Sequence, residues 1–120
     1  MRVFLSALIG LIFAVDNAHA QGDMSGAGSN YCREFVSIYD SAETELKADL
    51  TLTVGQWALG YMTGLNARVD SAERKDISGF ASISFGDQIL AICRDEADVF
   101  IIDIITSIYF NAPSYQPSTI

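Results

Sequence analysis

The chain has 120 residues, 50% of them hydrophobic, and fifteen acids against seven bases give it a formal net charge of −8. That length holds one domain with a modest core. Such an acidic surface repels phosphate backbones and anionic lipid headgroups alike, so no nucleic-acid partner is expected.

The first twenty residues read as a secretory signal peptide. Arg2 precedes the apolar run from Val3 to Val15, and Ala18-His19-Ala20 places small residues at the −3 and −1 positions of a cleavage site before Gln21. The run is shorter than the roughly 20 residues a membrane-spanning helix needs, and Asp16 and Asn17 interrupt its end. No stable membrane insertion is expected, and the destination is the periplasm or the exterior. Removing residues 1–20 leaves six Lys plus Arg against fourteen Asp plus Glu, so the mature net charge stays at −8. The single histidine, His19, leaves with the signal peptide. Mechanisms built on a histidine base or a histidine metal ligand leave with it.

The remaining serines and carboxylates are scattered, without the nucleophile–base pair or carboxylate dyad that catalysis calls for. Asp95, Glu96 and Asp98 form a tight acidic cluster, but the ligand and glycine spacing of a calcium loop is missing. It reads as helix capping. No enzyme, cofactor or metal site is expected. Cys32 and Cys93 are bound for an oxidising compartment, where a disulfide is the expected state; two buried free thiols are the alternative. Closing a loop of about 60 residues stabilises a fold by roughly 4 kcal/mol in the chain-entropy model.

In chain order, residues 21–29 carry three glycines and two serines and predict a flexible lead-in. Ser29 or Asn30 is placed to cap a first helix from about Tyr31, with Glu34 near its positive end and positions 32, 35, 36 and 39 on one apolar face. Residues 40–53 extend that helix or form an exposed turn. The sharpest pattern follows, with Val54, Trp57, Ala58, Tyr61, Met62 and Leu65 on one face of a central helix capped by Thr53 and ending between Asn66 and Arg68. Gly60 and Gly64 lie four apart beside Trp57, each costing roughly 1 kcal/mol of helix propensity, so another backbone is expected close to them. Trp57, Gly60, Tyr61 and Gly64 are the candidate binding residues; core packing is the alternative role of the same four.

Asp70 to Gly86 reads as a long surface connection pinned by Phe80, Ile83 and Phe85, either a binding loop or a solvated linker. A third helix from Ser84 or Asp87 turns Ile89, Leu90 and Cys93 inward, and Arg94 to Asp98 is a charged break. Val99 to Phe110 is apolar almost all round. Its residue types suit a strand, but its length, a cap from Asp95 or Asp98, and the four-residue spacing of Asp103 and Ser107 favour a helix. Such a helix asks for cover on more than one side, which a homodimer contact through residues 99–110 would supply. Pro113 and Pro117 stop it, leaving 112–120 as a loose tail. The sum is an all-α domain over residues 30–111, a small four- to five-helix bundle with one inter-helix disulfide.

Cys32-Arg33-Glu34-Phe35, then Trp57-Ala58-Leu59-Gly60-Tyr61, then Ile92-Cys93-Arg94 ahead of a final apolar helix, resemble the small exported proteins related to the HdeA/HdeB acid-stress chaperones. That resemblance implies a periplasmic all-α bundle with Cys32 bonded to Cys93 and binding of unfolded client proteins at low pH. A weaker resemblance, on the two cysteines and the Gly60-Tyr61-Met62-Thr63-Gly64 segment, is to immunity proteins of the Tai type. It implies an immunity- or inhibitor-type interaction module, for which the acidic face and the 70–86 connection are the surfaces expected to meet a basic protein partner.

Overall fold

The structure, a computed structural model, describes residues 26–117. The expected signal peptide, residues 21–25 of the lead-in and the last three residues lie outside that range. Four α-helices make up the fold: α1 (Cys32–Ser41), α2 (Thr44–Arg68), α3 (Ser82–Asp95) and α4 (Ile101–Asn111), with short 3-10 turns at Ala27–Ser29 and Ser71–Glu73. Among the described residues there is no strand, only two isolated antiparallel bridges, Tyr31 with Phe100 and Lys75 with Ser114. The apolar run expected as a helix over Val99 to Phe110 is helical from Ile101 to Asn111, with Phe100 ahead of it bridged to Tyr31. No helix among the described residues is long and apolar enough to cross a membrane.

The central helix is longer than its pattern predicted. It begins at Thr44 rather than after a Thr53 cap, and its 25 residues span roughly 37 Å. The β-branched Thr51 does not break it, because the side chain turns back onto its own helix, with Oγ1 3.2 Å from the Ala48 carbonyl and 3.4 Å from that of Lys47. Thr51 is consequently buried without an unmet hydroxyl.

α3 lies antiparallel against α2, and the contact is backbone on backbone. A Cβ added to Gly55 would collide with the Ser82 carbonyl, and one added to Gly86 would collide with the Thr51 carbonyl. The close approach expected at Gly60 and Gly64 is thus found at Gly55 and Gly86 instead. Around Gly60 and Gly64 a Cβ would meet nothing within 4 Å. The reason is angular: Thr51, Gly55, Ala58 and Met62 form the stripe that meets α3, and all four are buried, while Gly60 and Gly64 lie on the exposed side.

The core is one cluster drawn from all four helices, with Phe85, Met62, Ile89, Ile101, Ile105 and the two cysteines wholly buried. Ile89, Leu90 and Cys93 point inward as expected. The third helix starts at Ser82, so Phe85 belongs to it and not to the connection. Phe80 rests against Phe85 with ring centroids 4.8 Å apart, but Ile83 is 61% exposed and pins nothing.

The starts of α1 and α4 are tied to each other through backbone rather than through the expected Ser29, Asn30, Asp95 or Asp98 side chains, although Glu34 accepts the Tyr31 N–H at 3.3 Å. The N–H groups of Cys32 and Arg33 donate to the carbonyls of Val99 (2.8 Å) and Ala97 (3.0 Å), and the Ile101 N–H donates to the Asn30 carbonyl at 3.0 Å. Neither Ser29 nor Asn30 caps α1 with its side chain, and neither Asp95 nor Asp98 caps α4. The two helix starts satisfy each other's orphan donors, and Tyr31 stacks on Phe100 at 4.1 Å to close the joint.

Both expected loose ends are partly docked. Residues 26–29 cover the Trp57 indole so closely that a Cβ at Gly26 or Gly28 would run into the ring. In the tail, the Pro113 carbonyl accepts the Asp76 N–H at 2.7 Å and the Tyr115 N–H donates to the Arg74 carbonyl at 2.8 Å.

The two glycine pairs should respond oppositely to alanine. Gly86→Ala forces the helices apart and should cost roughly 2 kcal/mol, about 10 °C in the midpoint of a thermal melt followed by circular dichroism. Gly60→Ala meets open space and should gain up to about 1 kcal/mol. Equal responses would contradict the antiparallel contact described here.

Candidate functional site

Cys32 opens α1 and Cys93 sits in the last turn of α3; they are disulfide-bonded, with Cα atoms 4.7 Å apart and a sequence separation of 61. Each cysteine is followed by an arginine, and each arginine reaches a carboxylate on another segment. Arg33 pairs with Asp98 at 2.8 Å, and Arg94 makes a two-pronged contact with Asp40 at 2.8 and 3.1 Å. The crosslink is therefore flanked by two ion pairs, one binding the start of α1 to the α3–α4 connection and one binding the end of α1 to the end of α3. Both pairs are solvent-exposed, so each contributes little alone.

Electrostatics is most asymmetric at Asp40. The hydrogen bond from Arg94 holds its carboxyl below the usual range, desolvation opposes that, and the charges of Arg94 and Lys47 add smaller amounts to the lowering. Arg94 is raised in turn, chiefly by its hydrogen bond to Asp40. Tyr39 lies between two cations, with Lys47 at 5.3 Å and Arg94 at 5.8 Å from its ring centre. Elsewhere, Asp76 is lowered by the Ser78 hydroxyl and then by the Ser78 backbone N–H.

Of the four candidate binding residues, Gly60, Tyr61 and Gly64 line one hollow and Trp57 lies beside it, stacked on Tyr61. Trp57 stacks on Tyr61 with centroids 5.5 Å apart and planes 7° from parallel, under the 26–29 turn. The Tyr61 hydroxyl lies 3.2 Å from Thr106 Oγ1 on α4, tying this aromatic pair to the fold. Gly60, Tyr61 and Gly64 line a shallow hollow of about 170 Å³ with Leu65 and Arg68, which Trp57 does not reach. A second hollow, of about 580 Å³, lies along α1 between Arg33, Glu34, Ser37 and Ile38, the last 54% exposed.

The sequence reading missed the two ion pairs and Asn66. The repeated Cys-Arg dipeptide, which takes two of the six bases of the mature chain, was the only local sign of the former. Asn66 holds both the N–H and the carbonyl of Lys75 at 2.9 Å and accepts the Tyr109 hydroxyl at 2.7 Å, joining α2, the connection and α4. Among the described residues no three His, Cys, Asp or Glu side chains come together as a metal-binding group.

The chain matches no protein-family model, no curated protein and no solved structure. Any account of its role rests on its own residues.

Arg94→Gln should let the Asp40 carboxyl titrate close to the ordinary 3.8, measured by NMR on side-chain carboxyl resonances, while Asp76 stays depressed. Replacing both cysteines by serine should cost roughly 4 kcal/mol, seen in urea unfolding monitored by Trp57 fluorescence.

Proposed function

We propose that this is an exported, disulfide-tethered helical protein that loosens as pH falls and then holds unfolded client proteins, a role of the HdeA/HdeB kind. One observation carries the reading: both pairs flanking the Cys32–Cys93 crosslink depend on an ionised carboxylate, Asp40 or Asp98.

The direction of the effect follows from linkage. The folded Asp40 has a lowered pKa, so its contribution is complete above the ordinary carboxylate value and lost as pH falls through the folded one. Arg94 stays charged throughout the acid range, so the pair is broken by protonation of Asp40 and not by any change at the arginine. Protonation of Asp40 thus releases the end of α1 from α3, while neutralising fourteen acids leaves the mature chain with six unbalanced bases. Self-repulsion then favours expansion. The disulfide keeps α1 attached, and displacement of α1 uncovers the surface under Phe35 beside the already exposed Ile38.

Near-UV circular dichroism and Trp57 fluorescence, followed from pH 7 to pH 2 with an aggregating client scored by light scattering, test this. Tertiary signal should fall below about pH 4, client scattering should fall with it, and both should recover on neutralisation. A tertiary signal constant to pH 2 beside an unprotected client would end the proposal.

A second reading, an immunity- or inhibitor-type module, is favoured by the connection after α2. Asn66 and the 113–115 segment hold it in place, and Asp70 and Glu73 stand exposed on it. Stoichiometric recovery of a basic partner at low salt, lost at high salt, would select this role over client holding.

A further inference from the structure

The six bases of the mature chain divide by position. Arg33 and Arg94 are in ion pairs and Lys47 stands over the Tyr39 ring, all at the disulfide end. Arg68, Arg74 and Lys75 form no ion pair among the described residues and gather at the far end, where α2 stops and the connection begins.

Two of these, Arg74 and Lys75, line a hollow of about 420 Å³ completed by Thr63, Asn66 and Ala67 of α2 and by Tyr115. That volume lies within the range of sites for small molecules. No acid is among the lining residues, in a chain whose net charge is −8. The backbone presenting the two bases is fixed on both sides: Asn66 clamps Lys75 through its N–H and carbonyl, and the Arg74 carbonyl holds Tyr115. A solvated linker needs no such clamp; a preorganised one lowers the cost of binding.

We propose that this hollow binds a small organic carboxylate with an apolar body. Arg74 supplies a planar fork suited to a carboxylate and Lys75 a second positive charge, while the Ala67 methyl and the half-exposed Tyr115 ring form an apolar wall. The hollow opens at the C-terminal, negative end of α2, which opposes a doubly charged phosphate more strongly than a singly charged carboxylate. This site is independent of the acid response at the disulfide end.

The test is a two-dimensional amide NMR titration of the oxidised protein at pH 7 with benzoate, with neutral benzamide, with inorganic phosphate, and with a tripeptide bearing either a free or an amidated C-terminus. Benzoate should give saturable shifts confined to Thr63, Ala67, Arg74, Lys75 and Tyr115, and benzamide should not. Arg74→Gln should weaken binding about tenfold or more, whereas Arg68→Gln, outside the lining, should leave it within about twofold. Thermal melts confirm that each variant is folded. Stronger binding of the free-acid tripeptide would assign the carboxylate to a chain terminus, and stronger binding of benzoate to a free small molecule; either supports the site. Shifts that do not saturate, that benzamide reproduces, that survive Arg74→Gln in a folded variant, or that phosphate produces at lower concentration would overturn it.

Discussion

The closeness of α2 and α3 at Gly55 and Gly86 is the constraint on which the rest of the fold depends. Where two backbones touch, side chains on either flank can interleave fully, and Val54, Ala58 and Met62 meet Phe85 and Ile89 in that way. The cost is helix propensity, roughly 1 kcal/mol for each glycine, offset by burial of the surrounding apolar surface at about 25 cal/mol per Å². The same antiparallel pairing returns the end of α3 to the neighbourhood of α1, so that Cys93 meets Cys32 across 61 residues. The crosslink thus follows from the crossing and then holds it.

α1 is secured differently from the other three helices. It buries only Cys32 and Phe35, so its attachment rests on the disulfide, on the shared joint with the start of α4, and on two exposed ion pairs. Salt and pH act weakly on buried apolar contacts and strongly on exposed charges. Any response of this protein to its medium should therefore begin at α1, with α2 and α3 still packed. A helix that is poorly buried yet covalently held has restricted freedom when it leaves, which keeps the path back short.

Much of the fold was legible because it is local. The apolar periodicity from Val54 to Met62 identified the central helix, and the inward set Ile89, Leu90 and Cys93 identified α3. Periodicity says which residues share a face, but not which face meets another backbone. Gly60 and Gly64 therefore looked like the contact, although Gly55 lies on the buried stripe with Thr51, Ala58 and Met62. The capping error has a related cause: local side chains stood ready, but carbonyls from the other end of the chain reached the helix starts first. The ion pairs at Arg33 and Arg94 span 65 and 54 residues, and no local pattern specifies which of fourteen acids each arginine will find. Asn66 escaped notice because its value lies in three hydrogen bonds to two residues, Lys75 and Tyr109, neither of them its sequence neighbour.

The two ends of the molecule use their few bases for opposite purposes. At the disulfide end each arginine is matched by a carboxylate, so its charge serves to hold elements together. At the far end Arg74 and Lys75 are held in place through their backbone, by Asn66 and by the segment after α4, and their side chains line a hollow. Fixing the main chain instead of pairing the charge keeps a positive site intact at neutral pH within an acidic molecule. Bases held in ion pairs and bases left without one among the described residues are thereby separated along α2.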